Sequence, residues 1–497
     1  MRILNAIILA AGEGTRMKSE TPKVLHRICG RPMIAYALDL AGSAGVKQPI
    51  VVLGHGADAV KPYLPKEAKV VIQSRQAGTG DAVIAAKKVL PGGAGGVLVL
   101  YADTPLLRRT TVQKLVEHHF KTNSTCSLLT AHLADPSGYG RIQRNETGQI
   151  IGIVEEAEAN AAQRAIREIN VGPLVCSAQA LNDALAVVKP SESKKEVYLT
   201  DIISHIARQE GAKISSSRVE EISEALGINS RTELARAIGV IRQRIVDAHL
   251  HNGVTIEDPS STFIDHGVSI GADTIVHPYT VIETGVSIGK RCSIGPFARL
   301  RSGVSVGDET RIGNFAELVR TKVGPRVRIN HTSYLGDAIV EEGANIGAGT
   351  ITANYDGKEK HQTQIGKGAF IGSDTVLIAP VKIGPGAITG AGSVVPKAHD
   401  VPAKGVVVGV PARALGERTN GDVAPARKAV VKAEPVKPAA RKSVAKAIKS
   451  ARKPAAKPVK KKPSRVKAAK RPARKPAARK PKKVTARRPA KAKGRRR

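Results

Sequence analysis

Apolar residues follow two different rules along this chain. Over about the first 228 residues they come in short continuous runs, AIILAAG, PIVVLGHG, KVVIQ and GVLVLYAD. Between these lie PMIAYALDLAGSAG and TGDAVIAAKKVL, where apolar positions recur at helical spacing. Runs of that length suit strands buried on both faces, and their alternation with helices predicts an α/β domain, a parallel sheet covered on both sides. Ile3–Leu9 is its first strand, and residues 230–251 read as a connecting helix. From Ile264 the period becomes six. Ile264, Ile270, Val276, Ile282, Ile288, Ile294, Leu300, Val306, Ile312 and Leu318 keep it without a break, and it resumes with slips at Val323, Ile329, Leu335, Ile346, Ile365, Ile371, Leu377 and Ile383. A hexapeptide period predicts a β-helix whose aliphatic residues point into a triangular prism, so the ladder is core and carries no chemistry. Between Ile351 and Ile365 the sequence TANYDGKEKHQTQ breaks the repeat and must leave the prism as an excursion. Insertions in solenoids often form the binding face, and Asn354, Tyr355 and Lys360 point this one towards function.

Charge changes the picture only at one end. The 497 residues carry a net charge of +37, but residues 421–497 hold 31 Lys or Arg against Asp422 and Glu434, which accounts for all but +8 of it. A Lys/Ala/Pro mixture without aromatic residues cannot offset its ordering entropy, so residues 413–497 read as a disordered basic tail. The four cysteines, at 29, 126, 176 and 292, show no pairing or metal-ligand spacing, as expected of reduced thiols in a cytoplasm. No apolar run reaches the length of a membrane span, and the first one lacks a signal-peptide cleavage pattern. The protein is expected to be soluble.

The first strand runs into LAAGEGTRMKSETPK, residues 9–23. A small, Gly-bearing turn after a parallel strand lets backbone N–H groups approach an anion, and Arg16 and Lys23 add two cations. It is neither a Walker loop nor a dinucleotide fingerprint, because no Gly-Lys-Ser/Thr follows and Arg16 replaces the third glycine. An ordinary tight turn remains the alternative on this loop alone. Among the histidines, His118 and His119 on a helical stretch read as surface residues.

LAAGEGTRM, TPKVLH, QAGTGDA, YAD, GYGRI, IVEEAEA, EINVG, FARLR, GNFAEL, HTSYLGDA, NIGAGT, NYDGK and GSDT stand in this order between residues 3 and 410. In that set the chain resembles the bacterial bifunctional N-acetylglucosamine-1-phosphate uridylyltransferases and glucosamine-1-phosphate N-acetyltransferases. The resemblance implies a Rossmann-like nucleotidyltransferase domain (1–229), a linker helix (230–251) and a left-handed parallel β-helix (252–412). It implies two reactions: acetyl transfer from acetyl-CoA to glucosamine 1-phosphate, then uridylyl transfer from UTP to the product, releasing pyrophosphate. The resulting UDP-N-acetylglucosamine would feed peptidoglycan and envelope polysaccharides.

For uridylyl transfer the resemblance implies Leu9, Ala10, Ala11, Gly12 and Lys23 around the phosphates, with Arg16 and Lys23 opposing the developing charge. It places Gln73, Gly78 and Thr79 at uracil, and Tyr101, Ala102 and Asp103 beside the nucleotide. Gly140, Glu155 and Asn170 fall to the sugar, and Asp103 with Asn229 to Mg2+, whose preference is for oxygen donors. For acetyl transfer it implies His331 as base, Arg301 and Arg320 on the sugar phosphate, and Tyr334, Asn345 and Lys360 on the sugar. Asn354, Tyr355, Ser373 and Ala391 fall near acetyl-CoA. Arg320 stands where the family usually has lysine, and Gly409 where it often offers an arginine to the coenzyme, with Arg413 as the nearest replacement. A homotrimer is implied by analogy. Two alternatives stay open: a single-activity sugar nucleotidyltransferase with a structural β-helix, and nonspecific nucleic-acid or polyanion contact through the tail.

Overall fold

A computed structural model describes residues 3–75, 77–90, 95–190 and 196–417; nearly all of the basic tail lies outside them. The apolar runs form strands β1 (Leu4–Ala10), β2 (Ile50–Leu53), β3 (Lys69–Ile72), β4 (Gly96–Tyr101), β5 (Cys126–His132), β6 (Arg141–Arg144), β7 (Ile150–Val154), β8 (Glu168–Ser177) and β9 (Ile214–Arg218). Their order across the sheet is β9-β5-β8-β4-β1-β2-β3, with the β6–β7 hairpin attached to β8. Residues of β1 serve two cores in alternation. Ala6, Ile8 and Ala10 pack with the helices Met33–Ser43 and Arg109–Lys121, while Ile7 and Leu9 pack with Thr79–Lys87, Ala178–Val187 and Asp201–Ala207.

The sheet is mixed. β8 runs antiparallel to both β4 and β5, where an all-parallel sheet was expected. Reversal of β8 also overturns the expectation of unpaired thiols, because its register sets Cys176 directly opposite Cys126, and the two form a disulfide; Cys29 and Cys292 are free. Fifty residues of separation hid a pairing that the strand register creates. His119 is likewise no surface residue. It is buried against β5 with Nδ1 on Ser127 Oγ, and burial, with His118 alongside, lowers its pKa to about 4. His118 is half-buried.

The helix Arg231–His251 starts in a capping box: Ser230 accepts from the Glu233 N–H, and the Glu233 carboxylate accepts from the Ser230 N–H. Its first half packs Leu234, Ala237 and Ile241 against Met17 and Ile28. Val246, near its other end, joins the core of the prism. The hairpin Arg27–Ile28/Arg31–Pro32 rests on the first coils: the His266 N–H donates to the Cys29 carbonyl, and Arg31 Nη1 lies 3.2 Å from a ring nitrogen of His266.

In the β-helix, Val276, Ile294, Ile312, Ile329, Ile346 and Ile371 stand one above another in parallel register, all at most 2% exposed. Of the ten aliphatic residues spaced six apart, nine are buried and Ile270 is half-buried. A coil takes 18 residues up to Ile312, and 17 from Ile312 to Ile329 and from Ile329 to Ile346, so the period slips here. The excursion lengthens the coil from Ile346 to Ile371 to 25 residues.

Candidate functional site

At the carboxyl ends of β1 and β4 the chain forms a cleft with a cavity of about 280 Å³, the position at which open α/β sheets bind ligands. Leu9 to Gly12 form one wall, and Gln73, Gly78, Thr79, Tyr101 and Asp103 close around it. Gly14 turns with φ 67°, and a Cβ there would lie 2.7 Å from the Lys23 side chain. The turn thus folds Lys23 inward. Lys23 is 8% exposed, and its ammonium donates to Asp103 Oδ2 at 2.6 Å and to Asn229 Oδ1 at 3.1 Å. The backbones of both residues are held: the Ile228 N–H donates to the Asp103 backbone carbonyl, and the Asn229 N–H donates to the Glu233 carboxylate of the capping box. Burial raises the Glu233 pKa, but those backbone hydrogen bonds and the charge of Arg16 outweigh it and leave the carboxyl below its usual range. Arg16 is exposed and Ala102 is buried behind the cavity.

Gln73 is 6% exposed and spends its amide N–H groups on the Gly78 carbonyl and Asp81. Gly78 has φ 104°, and a Cβ would come within 2.5 Å of the Val197 carbonyl oxygen. Thr79 opens a helix while its hydroxyl accepts from the Leu199 N–H at 3.0 Å. Burial raises the Tyr101 phenol, with the charges of Glu155 and Asp103 adding to it. Gly140, Glu155 and Asn170 are brought together. The Asn170 N–H donates to the Gly140 carbonyl, and a Cβ on Gly140 would lie 3.5 Å from both Glu155 carboxylate oxygens. Three residues here escaped the sequence reading. Glu196 and Tyr198 line the cavity, and the buried Tyr198 Oη has no hydrogen-bond partner among the described residues; Thr200 donates to Glu155 at 2.7 Å. Their only signal is EVYLTD, where Val197, Tyr198 and Leu199 follow the polar sequence SESKK. Asp201, beside Glu158 and Glu155, is pushed up to about 6 by burial and those charges.

The residues fit a hard divalent cation in their chemistry. Two oxygens, from Asp103 and Asn229, converge on one point that Lys23 Nζ takes. Among the described residues no cluster of three or more His, Cys, Asp or Glu could hold a metal on its own.

On the prism, register aligns the groups. Asn314 and His331 are paired neighbours on the strands Arg311–Val319 and Arg328–Gly336, and the exposed His331 has Nδ1 3.0 Å from Asn314 Oδ1. Arg301 meets Glu317 at 3.2 Å, and Glu317 pairs in register with Tyr334. Arg320 is held by both Asp337 oxygens, and Asn354 Nδ2 donates to the same carboxylate. Neither Asn314 nor Asp337 was singled out from the sequence, although GNFAEL and HTSYLGDA contain them. A Cβ on Gly336 would lie 2.7 Å from Asn354 Nδ2 and 2.8 Å from Tyr334 Oη, so these two converge there. The excursion is a tight turn in which Tyr355 bridges to Lys360, and Asp356 accepts from the Lys358 and Glu359 N–H groups. Ser373 and Ala391 are exposed on successive coils, with the Gly392 N–H on the Ser373 carbonyl. Asn345 lies one coil beyond Arg328. Arg413 sits opposite Val408, next to Gly409.

The MobA-like NTP transferase domain family matches residues 6–192, and bacterial transferase hexapeptide repeats match residues 267–302, 285–320 and 362–397. A bifunctional protein GlmU from Heliobacterium modesticaldum is 42% identical over 81% of this chain and 94% of its own length. The chain belongs to the GlmU family. A second member, from Pelotomaculum thermopropionicum, is 44% identical over 76% of this chain and 90% of its own. As a GlmU-family chain it joins a uridylyltransferase to an acetyltransferase, and the β-helix is no mere scaffold. Among the described residues no helix is long and apolar enough to cross a membrane.

Proposed function

We propose that the two halves carry out successive steps of UDP-N-acetylglucosamine synthesis with the residues assembled above, divided at 1–229, 230–251 and 252–412. In the first half the sugar 1-phosphate attacks the α-phosphorus of UTP and pyrophosphate leaves. Lys23 and Arg16 oppose the charge that develops on the phosphates. Asp103 and Asn229 would hold Mg2+, which supplies charge neutralisation on the phosphate oxygens when bound. Gln73, its N–H groups spent, offers only a carbonyl oxygen, an acceptor for the uracil N3–H that cytosine lacks. Gly140, Glu155 and Asn170 receive the N-acetyl sugar.

In the second half Asn314 Oδ1 accepts from His331 Nδ1–H. That leaves Nε2 with a lone pair to take a proton from the 2-ammonium of glucosamine 1-phosphate, freeing the amine for attack on the thioester. Arg301 and Arg320 hold the phosphate, Tyr334, Asn345 and Lys360 the sugar, and Asn354, Tyr355, Ser373 and Ala391 the coenzyme. Cytoplasmic placement follows from the use of UTP and acetyl-CoA. A homotrimer is supported by the exposed aromatic stack Tyr279, Phe297 and Phe315, with ring centroids 4.9 and 5.3 Å apart beside Asn314. Light scattering on the full chain tests it, and a monomeric mass would refute it.

The meeting of Lys23, Asp103 and Asn229 at the cavity carries the first assignment. The test is thiol release from acetyl-CoA with glucosamine 1-phosphate, followed by addition of UTP and Mg2+. Wild type releases thiol only with the amino sugar and then forms the nucleotide sugar. His331→Ala loses about 10²–10⁴ of the first rate and still converts supplied N-acetylglucosamine 1-phosphate; full acetyl transfer in this variant would remove His331 from its role. The basic segment supports a second property, nonspecific contact with nucleic acid. Its affinity should fall steeply with salt and vanish on truncation after Arg418.

A further inference from the structure

Seven arginines lie on the prism between residues 252 and 410. Five are neutralised by a carboxylate: Arg291 by Glu309, Arg299 by Glu283, Arg301 by Glu317, Arg320 by Asp337 and Arg326 by Glu342. The other two, Arg311 and Arg328, have no carboxylate partner among the described residues, and the register sets them directly opposite each other on adjacent coils. Both are exposed. Coils stack about 4.8 Å apart, and like charges facing each other across strands are destabilising. Glu309, two residues before Arg311, and Glu342, three before Asn345, are committed to Arg291 and Arg326. On the row they share, the next residue beyond Arg328 is Asn345 and the one before Arg311 is Ser293, whose hydroxyl is engaged by His277. His331 follows Arg328 by three residues on the same strand.

We propose that Arg311 and Arg328 are a binding pair for a phosphoryl group. Two guanidinium forks, with the Asn345 amide on the next coil, present planar N–H donors suited to the oxygens of a dianionic phosphate. Bound anion removes the repulsion that the empty pair carries. On the acetyl-transfer reading two reactants bring such a group to this face, the sugar 1-phosphate and the coenzyme; naming the source rests on that reading, and the pair itself does not.

Phenylglyoxal modification of the full chain, followed residue by residue by mass spectrometry, tests the pair without turnover. Inorganic phosphate, glucosamine 1-phosphate, coenzyme A, dephospho-coenzyme A and glucosamine are the probes. Protection of both Arg311 and Arg328 by about fivefold or more, with none from glucosamine, supports the site. Protection by glucosamine 1-phosphate alone assigns the sugar phosphate, and stronger protection by coenzyme A than by its dephospho form assigns the coenzyme. Equal modification with every probe overturns it. A double variant, Arg311→Gln with Arg328→Gln, should raise KM for the protecting ester about tenfold, leave kcat within about twofold, and leave KM for UTP unchanged as a check on folding. Lysine at both positions should restore most of the affinity. If the variant instead changes only the assembly mass, the pair faces an acid of a second copy and the proposal fails.

Discussion

The two halves of the chain hold their chemistry in opposite ways. In the nucleotidyl-transfer half, side chains as far apart as Lys23 and Asn229, 206 residues, converge beside a recessed cavity, and the Asn229 backbone is fixed by Glu233. On the prism, Arg320, His331, Ser373 and Ala391 are exposed on the repeat itself, and Tyr355 is exposed on the excursion that interrupts it. The first site is thus recessed between elements of a single chain. The second lies on a surface, and closing it off from water needs something laid against it, as the proposed trimer would provide.

The contrast can be broken most sharply at Asp103. Asp103→Ala should lower uridylyl transfer by about 10²–10³ and leave acetyl transfer unchanged, and chelation of divalent cations should separate the activities in the same way. An equal fall in both would show that the halves are coupled. Gly78→Ala comes next: an alanine at φ 104° meeting the Val197 carbonyl should cost about 2 kcal/mol in chemical denaturation of the first half. A neutral result would show that the cavity wall is compliant. Asn314→Ala should lower acetyl transfer about tenfold and change its pH profile, since it removes the acceptor on His331 Nδ1; an unchanged profile would leave His331 self-sufficient. The smallest effect belongs to Asp201. Its folded pKa is raised to about 6 from 3.8, so the folded state prefers the protonated form, and the group's destabilising effect grows from about pH 4 and levels off above pH 6. Asp201→Asn should therefore raise Tm by a few degrees at pH 8, by less at pH 5 and not at all below pH 4.

What could be read from the chain divides by the distance over which a feature is determined. The aliphatic ladder is set by local spacing, and nine of its first ten positions are buried. The reversal of β8, the disulfide between Cys126 and Cys176 and the burial of His119 all depend on which strand lies beside which, and no local pattern announces them. Resemblance supplied Asp103 and Asn229, yet neither residue reveals that Lys23 bridges them. Glu196 and Tyr198 reach the cavity from a segment whose sequence looks like a loop returning to a helix.

The register of the prism also constrains how such a chain can change over generations. Because Val276, Ile294 and Ile312 sit in one column, a single residue inserted along a face would turn every following aliphatic residue out of the core. Gain of a whole coil leaves each column intact and merely adds a storey. Lengths between those quanta are admitted at corners, as in the 25-residue coil that carries Tyr355 and Lys360. Heritable variation in this half is thus channelled to height and to corner loops, the places where new contacts can arise without cost to the core.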